Sequence, residues 1–133
     1  MPVLLDTSFI IAFDNERDVH HKNAAIIWNK IAKMDYGQYF ISDHIFDEVI
    51  GVSLRRIGKE KTLGLCNKII KSIPIINVDN QLFKESWNLF KESNLNLSFT
   101  DCTNIILTRL FKSNKIASFD EEFNKIKGIE VIK

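Results

Sequence analysis

Four carboxylates stand where an open α/β fold gathers its chemistry: Asp6, Glu48, Asp101 and Asp120. Asp6 closes Val3-Leu4-Leu5, an apolar run without alternation that suits a strand covered on both faces of a parallel sheet. Ligands in such sheets bind beyond the carboxyl ends of the strands. Thr7 and Ser8 follow at once, and either hydroxyl can cap a helix or sit beside a bound metal. Glu48 lies one turn into a helical pattern, about 120° from the centre of its apolar stripe and beside Val52 and Arg55. Asp101 falls in the first turn of another helix, three residues after Ser98, and Asp120 follows the strand-like run Lys115-Ile116-Ala117-Ser118.

Each acid alone has a plain structural reading. Asp101 completes a Ser98-x-x-Asp capping box, Asp120 is an N-cap, and Glu48 is a surface flank residue. As a set they mean more. Carboxylates gathered in one cleft repel each other, and a divalent cation removes that conflict. An all-oxygen set without a convergent Cys/His pattern selects Mg²⁺ or Mn²⁺ over zinc. A metal held this way lowers the pKa of a bound water and stabilises charge on a phosphate, which are the requirements of phosphodiester cleavage.

The elements that must position these acids follow from the apolar pattern. A short helix follows Asp6, and Asp14 to His21 is a polar loop. Lys22 to Met34 is amphipathic through Ala24, Ile27, Trp28 and Ile31, and Gly37 ends it. Gln38 to Ile41 is a second strand, closed by Ser42-Asp43. Ser42 or Asp43 caps a helix to about Arg56, Gly58 breaks it, and Lys59 to Lys71 continues as another despite Gly64. Ile73 to Val78 is a strand with its proline at the start or on an edge. Asn80 to Glu92 is a helix with Phe83, Trp87 and Phe90 on one stripe. The Ser98–Asp101 helix carries Cys102, Ile105, Ile106 and Leu110 as a central packed element. A fourth strand ends near Ser118, a helical turn runs through Phe123, and Ile129 to Ile132 is a fifth strand. Strands separated by helices require crossovers, so the expected fold is a three-layer α/β/α domain with a five-stranded parallel sheet.

A chain of 133 residues with 45% hydrophobic residues is enough for one buried core, and 2 Pro and 5 Gly leave no linker to divide it. The expected organisation is a single domain over residues 1–133. No apolar stretch is long enough to span a bilayer, and a strand entering at Val3 leaves no room for a signal peptide, so a cytoplasmic location is expected. Cys66 and Cys102 lie inside helical patterns and read as reduced, buried thiols. The net charge of +1 is unevenly spread: residues 1–48 carry 8 Asp/Glu against 4 Lys/Arg, whereas residues 55–71 carry six Lys/Arg against Glu60 alone. Such a division suits a metal site beside a polyanion, and equally a helix pair with a solvated lysine face. Arg55 and Arg56 can bind phosphates near Glu48 or form surface ion pairs. His20-His21 reads as part of a solvated loop, since no third ligand stands at metal-binding spacing.

Four pieces of the chain together resemble the PIN domain, in particular the VapC-type toxins of toxin–antitoxin systems. Leu4-Leu5-Asp6-Thr7-Ser8 is similar to the family's opening hydrophobic-Asp-Thr-Ser/Asn motif. Asp47-Glu48-Val49-Ile50 is similar to the helix bearing its glutamate, and Leu97-Ser98-Phe99-Thr100-Asp101 to its Leu-Ser-hydrophobic-x-Asp motif. Ser118-Phe119-Asp120-Glu121-Glu122-Phe123 is similar to the closing Thr/Ser-x-Asp-x-x-Phe motif, with serine where many members have threonine. The resemblance implies a Mg²⁺- or Mn²⁺-dependent endoribonuclease acting on tRNA, rRNA or mRNA and leaving a 5′-phosphate and a 3′-hydroxyl. It implies Asp6 and Asp101 as principal metal ligands, with Glu48 and Asp120 completing the site directly or through water. Ser8 would orient substrate or water, a part less suited to Thr7. It also implies a homodimer and a cognate antitoxin that blocks the site, with the helix pair around residues 43–71 as the expected contact.

The competing reading is a catalytically silent PIN-like module that binds RNA or protein, against which the intact acidic quartet argues. A phosphoacceptor receiver domain would need a paired acid at the first strand and a lysine after a late strand. A haloacid-dehalogenase-like phosphatase would need a second Asp two places after Asp6, where Ser8 stands.

Overall fold

The computed structural model describes residues 2–133. Its elements run β1 (Val3–Leu5), α1 (Thr7–Asp14), α2 (His21–Ala32), β2 (Tyr39–Ser42), α3 (Asp43–Ser72), β3 (Ile75–Ile76), α4 (Asn80–Glu92), α5 (Phe99–Leu110), β4 (Lys115–Ala117), a 3-10 turn (Glu121–Lys125) and β5 (Glu130–Ile132). All strand pairs are parallel, in the order β3-β2-β1-β4-β5. This is the expected five-stranded parallel sheet with helical layers.

The order matters for the site. The chain winds from β1 outward through β2 to β3, then returns to lay β4 on the other side of β1. The sequence order therefore reverses between β1 and β4, and the crevice of an open α/β sheet opens at such a switch point. The β1–β4 pairing continues past Leu5, where Asp6 N–H donates to the Ala117 carbonyl at 3.0 Å. The ladder thus runs directly into the acidic edge.

The unbroken apolar character of β1 reflects its central place: Val3, Leu4 and Leu5 are all fully buried. Burying each such side chain contributes about 1.5–3 kcal/mol. Helix α1 packs against α2 and α3, and α4 against α5. The core runs through Phe9 and Ile10 of α1, Ile45 and Val49 of α3, and Ile105 and Leu107 of α5. Cys66 and Cys102 are buried free thiols, as expected.

Capping residues set most helix starts. Ser42 accepts from Ile45 N–H, Asp79 from Leu82 N–H, and Ser98 from Asp101 N–H. Gly58 interrupts α3 as expected, with φ +81 and ψ 173, whereas Gly64 stays helical. The third strand is shorter than its apolar run. Asp43 Oδ1 accepts Val78 N–H at 2.9 Å, which draws the chain off the ladder, while the Pro74 carbonyl still accepts Ile41 N–H at 3.0 Å. The aromatic stripe of α4 faces outward: Phe83, Trp87 and Phe90 are exposed, and Leu82 and Ser86 make the buried face. No helix among the described residues is long and apolar enough to cross a membrane.

Candidate active site

Asp6 occupies the N-cap position of α1 but makes no capping hydrogen bond. Its carboxylate instead faces the switch point, buried at 3% exposure. Ser8 donates to Oδ2 at 2.9 Å, Ser118 donates to the same oxygen at 2.8 Å, and Asn104 Nδ2 donates to Oδ1 at 3.2 Å. These donors come from α1, the end of β4 and the middle of α5. The two hydroxyls are themselves fixed by backbone: Ser8 accepts from Phe119 N–H at 2.9 Å and Ser118 from Asp120 N–H at 3.0 Å.

Asp101 makes the full capping box. Its Oδ2 accepts from Ser98 N–H at 2.9 Å, and its own N–H donates to Ser98 Oγ at 3.0 Å. Asp120 accepts from Glu122 N–H at 3.0 Å and so caps the 3-10 turn. Both acids nonetheless line the same pocket as Asp6, so capping does not take either of them out of it. Glu48 reaches that pocket from α3 with Val52 and Arg55 beside it, as the helical wheel requires. The pocket is open, about 580 Å³, and Ser8 also lines it.

Burial raises the Asp6 carboxyl above the ordinary range. Ser118 and Ser8 oppose the shift by hydrogen bonding, while the charge of Glu48 adds to it. Burial likewise raises Glu48; the Thr7 hydroxyl approaches and favours its ionised form, and Asp101 and Asp120 push it further up. Thr7 Oγ1 does not reach hydrogen-bond geometry and is a buried hydroxyl without a partner. Asp101 is pushed up to about 6, chiefly by burial and then by Asp6 and Asp120, against the bonds from Ser98.

The four acids therefore share one electrostatic problem. An all-oxygen set of this kind matches the ligand chemistry of a hard divalent cation. The unpartnered Thr7 hydroxyl adds a further oxygen at the same wall. Among the described residues, no three acidic, histidine or cysteine side chains close on a single point as a finished metal cage.

Other residues at the pocket carry weaker sequence signals. Arg55 and Arg56 both line it, and among the described residues neither forms a salt bridge. The surface-pair alternative for them therefore has no counterpart in the structure. His20, expected in a solvated loop, lies flat against Phe119 at the pocket rim, with centroids 4.4 Å apart and planes 3° apart. His21 behaves differently: its Nδ1 lies 2.9 Å from the Ala12 carbonyl and ties α2 to α1. Ser118 and Asn104 hold Asp6 without a sequence signal for that part: Ser118 stands in the closing Ser-x-Asp-x-x-Phe motif, but nothing local marks Asn104.

The PIN domain family model matches residues 3–129. The chain is 25% identical over 128 residues to a VapC ribonuclease of Archaeoglobus fulgidus, a match covering 93% of this chain and 80% of that protein. Among solved structures it resembles VapC20 of Mycobacterium tuberculosis, described as a sarcin-ricin-loop-cleaving toxin. There the TM-score is 0.82 at 20% identity, over 92% of this chain and 93% of that one. It also resembles VapBC2 of Rickettsia felis bound to a promoter DNA fragment, with a TM-score of 0.72, 15% identity and coverage of 98% and 97%. A toxin–antitoxin complex from Klebsiella pneumoniae matches with a TM-score of 0.66, 20% identity and 98% coverage of both chains. A parallel sheet with an acidic pocket at its switch point, together with a family match across nearly the whole length, defines the class. The chain belongs to the PIN domain family.

Proposed function

We propose that this protein is a Mg²⁺- or Mn²⁺-dependent endoribonuclease and the toxin of a toxin–antitoxin pair. The observation that carries this reading is the convergence of Asp6, Glu48, Asp101 and Asp120, from four separate segments, on one pocket where their charges oppose each other. Family membership and the VapC relatives support the ribonuclease part, and the toxin–antitoxin neighbours support the partner.

In this reading Asp6 and Asp101 are the principal metal ligands, and Glu48 and Asp120 complete the set directly or through water. A bound cation supplies a water of lowered pKa and offsets charge on the scissile phosphate. The protein's own groups do the rest. Ser118, Ser8 and Asn104 hold the Asp6 carboxylate in one orientation. Ser8 stands at the pocket wall with its proton committed to Asp6, and its free lone pair accepts from a water that it thereby aligns. Arg55 and Arg56, which form no salt bridge among the described residues, hold the RNA backbone beside the acids.

The antitoxin and a second copy of the chain are the proposed protein partners. The expected contact region around residues 43–71 exposes Leu54, Leu63 and Ile70, and α4 exposes Phe83, Trp87 and Phe90. Exposed apolar side chains in groups mark association surfaces.

Cleavage tests the function. Purified protein is incubated with mixed tRNA and ribosomal RNA in Mg²⁺, in Mn²⁺ and in chelator. Discrete cuts bearing 5′-phosphates, formed only with metal, are expected. RNA binding without cutting in either metal would instead support the silent module.

A further inference from the structure

We propose that the His20–Phe119 stack is a platform for an unpaired nucleobase of the RNA at the pocket rim. The proposal rests on the ribonuclease reading and adds the substrate feature that the acids do not address. The two rings lie 4.4 Å apart and 3° from parallel, and Phe119 continues the stack inward to Phe9 at 6.3 Å and 23°. Phe9 is buried, so the column has a fixed base in the core. His20 is exposed and forms the outer end. One face of its imidazole is covered by Phe119, while the residue as a whole is exposed and lines the pocket.

His20 is also held rather than loose. Its N–H donates to Asp18 Oδ1 at 2.8 Å, and its carbonyl accepts Ala24 N–H at 2.9 Å in the first turn of α2. Phe119 is held through its own N–H, which donates to Ser8 Oγ, a neighbour of Asp6. The stack therefore sits at a set distance from the acids, through one serine. A seated aromatic face beside a phosphate-cleaving pocket matches how single strands are bound: aromatic side chains stack on bases, while cations track the backbone. Arg55 and Arg56 line the same pocket and supply the cationic part.

Stacking of this kind contributes about 1–3 kcal/mol per base and tolerates any base, since every base has a π-face. The imidazole thus favours an unstacked nucleotide next to the scissile phosphate and disfavours duplex RNA, whose bases are covered. His20 is accordingly a positioning residue that binds substrate beside the metal-site acids.

The test measures binding by fluorescence anisotropy in Ca²⁺, with oligoadenylate as the probe and an abasic ribose-phosphate oligomer of equal length as the control. Gel analysis checks that the probe stays intact. The probe is titrated against wild type, His20→Ala and His20→Tyr, each checked for an unchanged melting transition. His20→Ala is expected to weaken oligoadenylate binding about 5- to 100-fold and His20→Tyr to restore it. Neither change should alter binding of the abasic oligomer. Equal loss on both oligomers would show that the stack only seats the loop, and would overturn the platform. So would wild-type protein that cuts the natural RNA pool yet binds both oligomers alike. Protein that neither binds nor cuts any RNA would overturn the ribonuclease reading together with this one.

Discussion

Ser118 Oγ donates to Asp6 Oδ2 at 2.8 Å, across the seam where β1 and β4 lie side by side. The two residues are 112 positions apart in the chain. Parallel pairing brings them together, because it aligns the ends of both strands on the same edge. The bond orients this carboxylate and opposes, without cancelling, the upward push of burial on its pKa.

Ser118→Ala removes that donor and leaves a buried carboxylate with less support. On the proposed ligand role of Asp6, activity should fall about 10- to 100-fold, the usual loss when a group that orients a metal ligand is removed. Stability should fall by about 1 kcal/mol. Ser118→Thr, which carries the hydroxyl used by many family members, should retain most of both. Cleavage rates and denaturant midpoints of the two variants, measured together, check this.

The raised Asp101 carboxyl makes a signed prediction about stability. Its folded value of about 6 lies above the ordinary 3.8, so between those two pH values the folded protein without metal holds a proton that the unfolded chain has lost. The penalty is present in full above about pH 6 and is relieved as pH falls toward 4. Asp101→Asn keeps an acceptor for Ser98 N–H and removes the charge. In chelator it should raise the melting temperature by about 3–6 °C near neutral pH, on the order of 1 kcal/mol after screening. The gain should shrink as pH drops through 6. Thermal melts across that range decide the sign.

Added Mg²⁺ or Mn²⁺ should stabilise the wild type by binding the folded state alone. The same ions should stabilise Asp6→Asn and Asp101→Asn much less. A metal-induced rise in melting temperature that is equal in all three proteins would argue against these acids as ligands.

Gly58 and Gly64 in α3 should respond oppositely to alanine. At each, an added Cβ meets nothing within 4 Å, so only backbone conformation matters. Gly58 has φ +81 and ψ 173, a region almost confined to glycine, and Gly58→Ala should cost about 1–3 kcal/mol. Gly64 is helical, and Gly64→Ala should add about 0.5–1 kcal/mol. Urea midpoints of the pair test the kink directly.

Much of this architecture is visible in the residues themselves. The unalternating Val3-Leu4-Leu5 run announces a strand buried on both faces, and it is the central one. Helical geometry put Glu48 on the flank shared with Val52 and Arg55, and all three meet at the pocket. Asp101 and Asp120 sat where caps belong, and they are caps as well as pocket residues. What escaped detection depends on contacts between distant segments. Asn104 is one of several polar residues on α5, and only its packing against Asp6, 98 residues away, singles it out. His20 does lie in an exposed turn, as its surroundings imply, but its π-stack with Phe119 leaves no local pattern. Periodicity likewise showed that Phe83, Trp87 and Phe90 share a stripe on α4, yet the direction that stripe faces is set by α5. The third strand ended early because an aspartate side chain took its N–H, an event invisible in β-propensity.

The most direct measurement is the cleavage rate of wild type against Asp6→Asn on the same RNA in Mn²⁺, with both proteins shown to be folded by their melting curves. If the acids at the β1–β4 seam do the chemistry, Asp6→Asn should lose cutting by at least about 100-fold and regain none at higher metal concentration. Cutting by Asp6→Asn at the wild-type rate, at the same sites, would contradict the assignment of the active site to this pocket.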